Sequence, residues 1–292
     1  MKVNNEWKDY KILETGSGEK LEKWGKVTLL RPDPQIIWEK EINENKADAH
    51  YIRSSSGGGK WKNLKQMPEE WVVSWRNLKF LVKPMGFKHT GLFPEQAVNW
   101  ATMIDLIKES KRPINVLNLF AYTGGATVAC ASAGASVTHV DSAKNMVERC
   151  KNNAKLSGLE DAPIRYIVDD CRKFVEREIR RGKKYDAIIM DPPSYGRGAN
   201  GEVWSLESNI YDFVKLCSKV LSDKPLFVLI NSYTTGLGAT AMENVLKLAL
   251  NKTVGTYESY EVGLPTSEGI NLPCGHSALY LNKKYRKKVI KY

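Results

Sequence analysis

The sequence predicts an α/β protein: a mostly parallel sheet with helices on both faces, an antiparallel strand pair at one edge, and a small, mostly β N-terminal domain. Three observations predict it. After "KHTGLFPEQ", apolar runs of strand length alternate with segments whose apolar residues recur at helical spacing, as in a parallel sheet with crossover helices. Towards the end, "TYESYEVGL" and "HSALYLN" break the alternation, because the loop between them leaves no room for a helix of usual length. Before "KHTGLFPEQ", six of the eight tryptophans have passed by Trp75, and turn signals separate short extended runs.

Taken in order, "TGSGEK", "RPDPQ" and "SSSGGGK" are the turn signals of the first region. Between and after them, "KVTLL", "WVVSW" and "LKFLV" carry the β-branched and aromatic residues that suit a half-buried pleated surface. "SSSGGGKWK" is a flexible loop or a hairpin tip on which Lys60 and Lys62 meet phosphate. The second region opens with "INVLNLF", a strand, and the small-residue helix "GATVACASAG". A strand, "SVTHVD", and the helix "SAKNMVERCKNNAKLSG", closed by glycine, follow. "IRYIVDD", "CRKFVEREIRRG", "YDAIIMDPP", "SLESNIYDFVKLCSKVLS" and "PLFVLINSY" continue as strand, helix, strand, helix and strand. Two domains are expected, residues 1–87 and 88–292.

At 292 residues, with 42% hydrophobic and 26% charged residues, the composition is that of a globular protein. No stretch approaches the roughly 18–20 continuous apolar residues of a membrane helix, and "MKVNNEWKDYKILE" lacks the apolar core of a signal peptide, so a cytoplasmic protein without a membrane partner is expected. The five scattered cysteines, with no C-x-x-C pair, argue against a disulfide framework and against a zinc site. The net charge of +11 and pI near 9.2 make nucleic acid a candidate partner, since a cationic surface concentrates polyanions.

In open α/β sheets ligands bind outside the carboxyl ends of the strands. The turn after the first strand of the second region reads Phe120, Ala121, Tyr122, Thr123, Gly124, Gly125. A dinucleotide loop wants glycine at the Phe120 and Tyr122 positions so that a pyrophosphate can reach the backbone and the helix N-terminus. Aromatics there disfavour a nicotinamide cofactor and favour one without phosphate at this point, such as S-adenosyl-L-methionine. Asp141, 17 residues beyond Gly124, ends the second strand, where a carboxylate can accept from a ribose diol. Asp169 and Asp170 end the third strand, where an adenine amino group would lie; the plain alternative for each of these carboxylates is a helix cap or first-turn dipole partner. The fourth strand ends in "DPPSYG", whose prolines fix an extended exit that presents Asp191 at the cleft, with Tyr195 able to stack on a planar acceptor.

"FAYTGGATVACASAGASVTHVD", "VDDCRKFV" and "IIMDPPSYGRG" resemble the class I S-adenosylmethionine-dependent methyltransferases. More narrowly, they are similar to the group around the large-subunit ribosomal RNA methyltransferases, with its Y-T-G-G loop, D-P-P-x-[F/Y] motif and T-G-x-F-x-x-Q entry segment, here "KHTGLFPEQ". The resemblance covers roughly Lys88 to Leu281 and does not extend to the first ~85 residues. It implies a Rossmann-like class I methyltransferase sheet, S-adenosyl-L-methionine as cofactor and RNA, ribosomal RNA first, as partner. By position it implies that Tyr122, Thr123, Gly124 and Gly125 pack along the methionine portion of the cofactor, with Phe120 and Ser142 also at the cofactor site. Asp141 would bind the ribose, Asp170 the adenine amino group and the Cys171 backbone an adenine ring nitrogen. Phe93 and Gln96 would close the cofactor site, and Asp191, Pro192, Pro193 and Tyr195 would flank the transferring methyl and its acceptor.

Attack on a sulfonium methyl requires mainly alignment. A nitrogen acceptor brings its own lone pair, whereas carbon 5 of a pyrimidine is commonly activated by a cysteine thiolate. Relatives that make 5-methylcytosine carry a cysteine just after the fifth strand; here Asn231, Ser232, Tyr233 and Thr234 stand there. Only Cys274, in "NLPCGHSA", remains as a thiol candidate, so nitrogen methylation is favoured. His89 and His276 read as core or loop histidines, with His89 also a candidate contact in the entry segment. The basic runs Arg172 to Lys184 and Lys283 to Lys291 read as solvated faces or as contacts to an RNA backbone. The alternatives are a methyltransferase acting on a small molecule or protein side chain, a 5-methylcytosine-forming enzyme, and a non-catalytic RNA-binding module.

Overall fold

A computed structural model describes residues 1–55, 57–197, 203–251 and 253–288. Ser56 of the glycine-rich turn, Gly198 of the strand-four motif and Val289 to Lys291 of the basic tail lie outside the described residues. By contacts the chain forms two compact units. The first holds Val3–Ala97 and Gly263–Cys274; the second holds Val98–Val262 and the chain from Gly275 onward.

The first unit is β-rich. After β1 (Lys2–Val3), strands β2 (Tyr10–Gly16), β3 (Glu19–Trp24), β4 (Val27–Pro32), β5 (Ala49–Arg53) and β6 (Gly59–Asn63) form a five-stranded sheet in chain order, antiparallel except for the β4–β5 pair. Strands β7 (Trp71–Trp75) and β8 (Leu78–Val82) form a separate hairpin. The β2–β3 connection is two residues, Ser17 and Gly18, both at positive φ (49° and 81°), the twist a tight antiparallel hairpin favours. The early tryptophans are structural: indole N–H groups of Trp7, Trp38, Trp61 and Trp71 donate to the carbonyls of Pro94, Thr15, Met85 and Trp24, and that of Trp75 donates to Asn4 Oδ1. Their rings supply apolar bulk while the one polar atom is satisfied; the fully buried Trp24 is the exception, its Nε1 having no partner among the described residues. Lys60 and Lys62 stand on β6, and Lys62 pairs with Glu44.

The second unit contains α1 (Ala97–Ser110), β9 (Asn115–Leu119), α2 (Gly125–Ser132), β10 (Ser136–Asp141), α3 (Lys144–Leu156), β11 (Ile164–Val168), α4 (Cys171–Arg180) and β12 (Ala187–Met190). A short hairpin, β13 (Tyr195–Arg197) and β14 (Val203–Ser205), precedes α5 (Leu206–Cys217), β15 (Phe227–Ser232), α6 (Ala239–Ala249), β16 (Gly255–Pro265) and β17 (Asn271–Asn282), of which Gly263–Pro265 and Asn271–Cys274 count with the first unit. The sheet order is β1-β16-β17-β15-β12-β9-β10-β11. Pairs from β15 through β12, β9 and β10 to β11 are parallel, and β17 runs antiparallel to β15. This is the predicted sheet with its antiparallel edge. One apolar core fills a single face, where Leu117, Leu119, Ile188, Met190, Val228 and Ile230 meet Phe174, Phe213 and Leu246 from α4, α5 and α6. Helices α1 and α6 and the β13–β14 hairpin are additions to the expected alternation.

Candidate active site

Because β9, β10, β11, β12 and β15 are parallel, their carboxyl ends share one edge; the register aligns Leu119 with Val140 and Met190, and Asp141 with Val168. β9 is flanked by β10 on one side and β12 on the other, so strand order reverses between β9 and β12. That reversal opens the crevice where ligands of such sheets bind.

The loop after β9 answers the question its aromatics raise. Phe120 (φ 54°), Tyr122 (φ 50°) and Gly124 (φ 84°) are all left-handed. The backbone thus takes the glycine-like path, at a cost of about 1–2 kcal/mol for each aromatic. The side chains, not the path, set this loop apart. Phe120 packs on Trp204 and Phe213, each with ring centroids 5.5 Å away. The Tyr122 amide donates to Asp141 Oδ2 at 2.8 Å. Gly124 is required twice, by its φ and because a Cβ there would stand 2.1 Å from Cys150 Sγ. A Cβ on Gly125 would meet the Trp100 ring at 2.5 Å. From behind, Asn153 of α3 donates to the Thr123 carbonyl, and Asn118, Thr127 and His139 form a buried chain joining β9, α2 and β10.

Asp141 lies across from this loop with its Oδ1 accepting from the Ala143 amide, which arches the chain over the exposed Ser142. Burial raises its carboxyl above the usual range, and the two backbone donors, Ala143 and Tyr122, offset part of that rise. Asp170 is the N-cap of α4, its Oδ1 accepting from the Lys173 amide, and Asp169 pairs with Arg177. Both carboxylates therefore have the local partners that the plain reading of a strand-end acid anticipates. Cys171 starts α4 with its sulfur turned inward, accepting from the Phe120 amide.

At the end of β12, Asp191 donates its amide to the Leu119 carbonyl, and Pro192 is buried. The next residues are pinned individually. Trp204 Nε1 donates to the Pro193 carbonyl at 2.7 Å, the Leu206 amide to the Ser194 carbonyl, and Thr234 Oγ1 to Ser194 Oγ. Tyr195 is 56% exposed. Near the end of β15, Asn231 is not open to ligand: its Oδ1 accepts from Asn99 and Ser277 in a buried network. The structure therefore brings Phe120 to Gly125, Asp141, Ser142, Asp170, Cys171 and Asp191 to Tyr195 to one sheet edge. Phe93 and Gln96 belong to the first unit, where Phe93 packs on His89 and its carbonyl accepts from the Gln96 amide. Sequence reasoning missed Asn153, Trp204 and Thr234, since each acts through a contact distant in sequence.

Cys130, Cys150, Cys171 and Cys217 are fully buried, and burial pushes every one of these thiols above the usual range. Cys274, which belongs to the first unit, is likewise pushed well up by burial, with the Glu95 charge adding to the rise.

A switch-point crevice with a left-handed loop facing a strand-end aspartate defines an adenosyl-cofactor α/β enzyme. The family profile of the S-adenosylmethionine-dependent methyltransferases matches residues 42–223, and the chain belongs to that family. S-adenosylmethionine is its cofactor. A crystal structure of a SAM-dependent methyltransferase from Agrobacterium tumefaciens is 34% identical, with a TM-score of 0.89 over 95% of this chain and 91% of that one. The ribosomal RNA large subunit methyltransferase K/L of Shewanella frigidimarina is 29% identical over 178 residues, 60% of this chain and 24% of that protein. Its counterpart in Allochromatium vinosum is 33% identical over 144 residues, 49% and 19% of the two chains. The chain thus spans a quarter or less of these curated relatives. Among the described residues no helix is long and apolar enough to cross a membrane.

Proposed function

We propose that this methyltransferase acts in the cytoplasm on a base nitrogen of RNA, ribosomal RNA first. The observation that carries the choice of nitrogen is geometric: no cysteine stands at the end of β15, where Asn231 is held in a buried network, and Cys130, Cys150, Cys171 and Cys217 are buried, whereas carbon 5 chemistry commonly uses a thiolate in the cleft. The net charge of +11 and the similarity to ribosomal RNA methyltransferases support the RNA acceptor.

When bound, S-adenosylmethionine supplies an electrophilic methyl on a sulfonium. The residues present fit it. Gly124 and Gly125 let the loop backbone seat against Cys150 and Trp100, and the aromatic loop offers no glycine-lined path for a pyrophosphate. Asp141 spends one acceptor position of each oxygen on Tyr122 and Ala143, and a carboxylate has about four, so both ribose hydroxyls can still be accepted. Asp170 would hold the adenine amino group with acceptor capacity beyond its cap, beside the Cys171 backbone. Asp191 and the Pro192 and Pro193 carbonyls would orient the acceptor N–H, and Tyr195 would stack on the base, which must be splayed out at a cost of a few kcal/mol.

The test is mass spectrometry of nucleosides from a deletion strain, its parent, and strains carrying wild type or Asp191→Ala. The expected result is an N-methylated base lost on deletion and restored only by wild type. Loss of 5-methylcytosine instead would overturn the nitrogen assignment, and an unchanged profile with the protein expressed would overturn RNA as substrate.

A further inference from the structure

We infer that Trp204 is a positioning residue that ties the cofactor loop to the acceptor loop. Its indole makes two ring contacts and one hydrogen bond. The ring packs on Phe120, the first left-handed residue of the cofactor loop, and on Phe213 of α5, with centroids 5.5 and 5.6 Å away. Phe120 and Phe213 also touch each other at 5.5 Å, so the three rings form a closed cluster. The Nε1–H points the other way, to the Pro193 carbonyl at 2.7 Å. Trp204 sits on β14, paired with Gly196 of β13, directly beyond the Asp191–Ser194 turn.

This arrangement explains two local choices. Phe120 occupies a conformation costly for any side chain but glycine, and the ring cluster is what its side chain gains there. Proline at 193 provides no N–H, so the turn is held through its carbonyl, and a tryptophan is the apolar residue that can both pack and donate. A displacement of Phe120 is transmitted through one rigid indole to the carbonyl beside the acceptor. Trp204 therefore sets the orientation of the Pro193 carbonyl according to the seating of the cofactor loop, without touching the reacting atoms.

The test uses the full chain with Trp204→Phe, which keeps a ring and removes the donor, and Trp204→Ala, which removes both. Three quantities are read: hydrogen exchange of the β13 amides, S-adenosylhomocysteine affinity by calorimetry, and methyl transfer to RNA. For Trp204→Phe the expected result is faster β13 exchange, S-adenosylhomocysteine affinity within about twofold of wild type, and kcat lowered about tenfold or more with an unchanged KM for S-adenosylmethionine. Trp204→Ala should in addition lose cofactor affinity. Wild-type exchange and kcat in Trp204→Phe would overturn the inference, as would a loss of cofactor affinity equal to the loss of kcat. The kinetic arm rests on the RNA reading above; a wild-type enzyme inactive on RNA would fail that reading, while exchange and calorimetry would still decide the role of Trp204.

Discussion

Two glutamates, one in each unit, have side chains with no exposed surface, and each accepts a hydrogen bond from a tyrosine. In the first unit Glu22 takes the Tyr10 hydroxyl, and Arg31 grips both its oxygens at 2.6 and 2.8 Å. In the second, Glu178 takes the Tyr185 hydroxyl and pairs with Arg165 and Arg181. The glutamates match; their cations do not. Arg31 and Lys20 beside Glu22 expose 9% and 11% of their side chains, whereas Arg165 and Arg181 expose 46% and 54%. Cations that reach water can be rehydrated when their partner is lost, and cations locked in a β-core cannot. The first unit thus depends on a closed charge set, and the unit that does the chemistry does not.

Neutralising each glutamate breaks the comparison most directly. Glu22→Gln strands Arg31 and should destabilise the first unit by about 3–5 kcal/mol, whereas Glu178→Gln should cost about 1–2 kcal/mol. Denaturant unfolding followed by hydrogen exchange in each unit would read both values. Equal losses would refute the role given to solvent access. The double variant Glu22→Leu with Arg31→Met should recover most of the loss, because it removes the pair together.

Acid sharpens the same contrast. Burial alone would raise the Glu22 carboxyl, but the charges of Arg31 and Lys20 and the hydrogen bonds from Arg31 and Tyr10 hold it at about 2. Its contribution is complete above the ordinary carboxylate range and is lost as pH falls through about 2. Histidines respond earlier. Burial lowers His139 to about 4, and burial with the nearby Arg31 and Lys88 charges lowers His89 to about 4. Each is neutral in the folded chain where an unfolded chain is already protonated, so stability falls as pH drops from about 6.5 to about 4. For His139 the loss is on the order of 3 kcal/mol. His139→Gln should flatten that slope in the second unit and leave the first unchanged; a slope that persists would assign it to another group.

How much of this was legible follows from the kind of signal each element carries. The parallel strands from Asn115 to Ser232 and the helices α3 to α5 are set by local periodicity, α2 is marked by its small residues between two strands, and the sequence displays them. Helix α1 is buried from Ala97 to Ile104 without a break, and its polar Asn99 faces Asn231, Ser277 and Tyr260 and not water, so its polar residues do not mark a solvent face. Strands β13 and β14 are three residues each, too short to show an alternation, and Trp204 on β14 packs on Phe120, which is remote in sequence. The Phe120 and Tyr122 positions were legible as unusual, yet aromatic residues at glycine-like φ values follow from no propensity. Asp141 was readable from its place at a strand end, whereas Asn153 behind the loop looks in sequence like any polar helix residue.

Cofactor affinity tests the neutral side of the comparison, where the second unit invests its precision. Gly124→Ala adds a methyl group to a left-handed residue against Cys150 and should weaken S-adenosylhomocysteine binding by about 10- to 100-fold, with a smaller loss of stability. Adding Cys150→Ala opens the space but leaves the backbone strain, so recovery should be partial. Full recovery would make the contact, and not the φ of Gly124, the whole reason for glycine.

The smallest effect separates two adjacent acids. Asp170 caps α4 through Oδ1, and asparagine caps equally well, so Asp170→Asn should leave the melting temperature within about a degree of wild type. The amide has only one acceptor oxygen, which the Lys173 amide already uses, and its NH2 would face the adenine amino group. S-adenosylhomocysteine affinity should therefore fall several-fold in calorimetry. Asp169→Asn removes only the partly exposed pair with Arg177, a change worth under about 1 kcal/mol, and should leave affinity unchanged. If both substitutions weakened binding alike, the adenine contact would have to be shared between them. If only Asp169→Asn did, the roles assigned to the two acids would be reversed, and the cap at Asp170 would be purely structural.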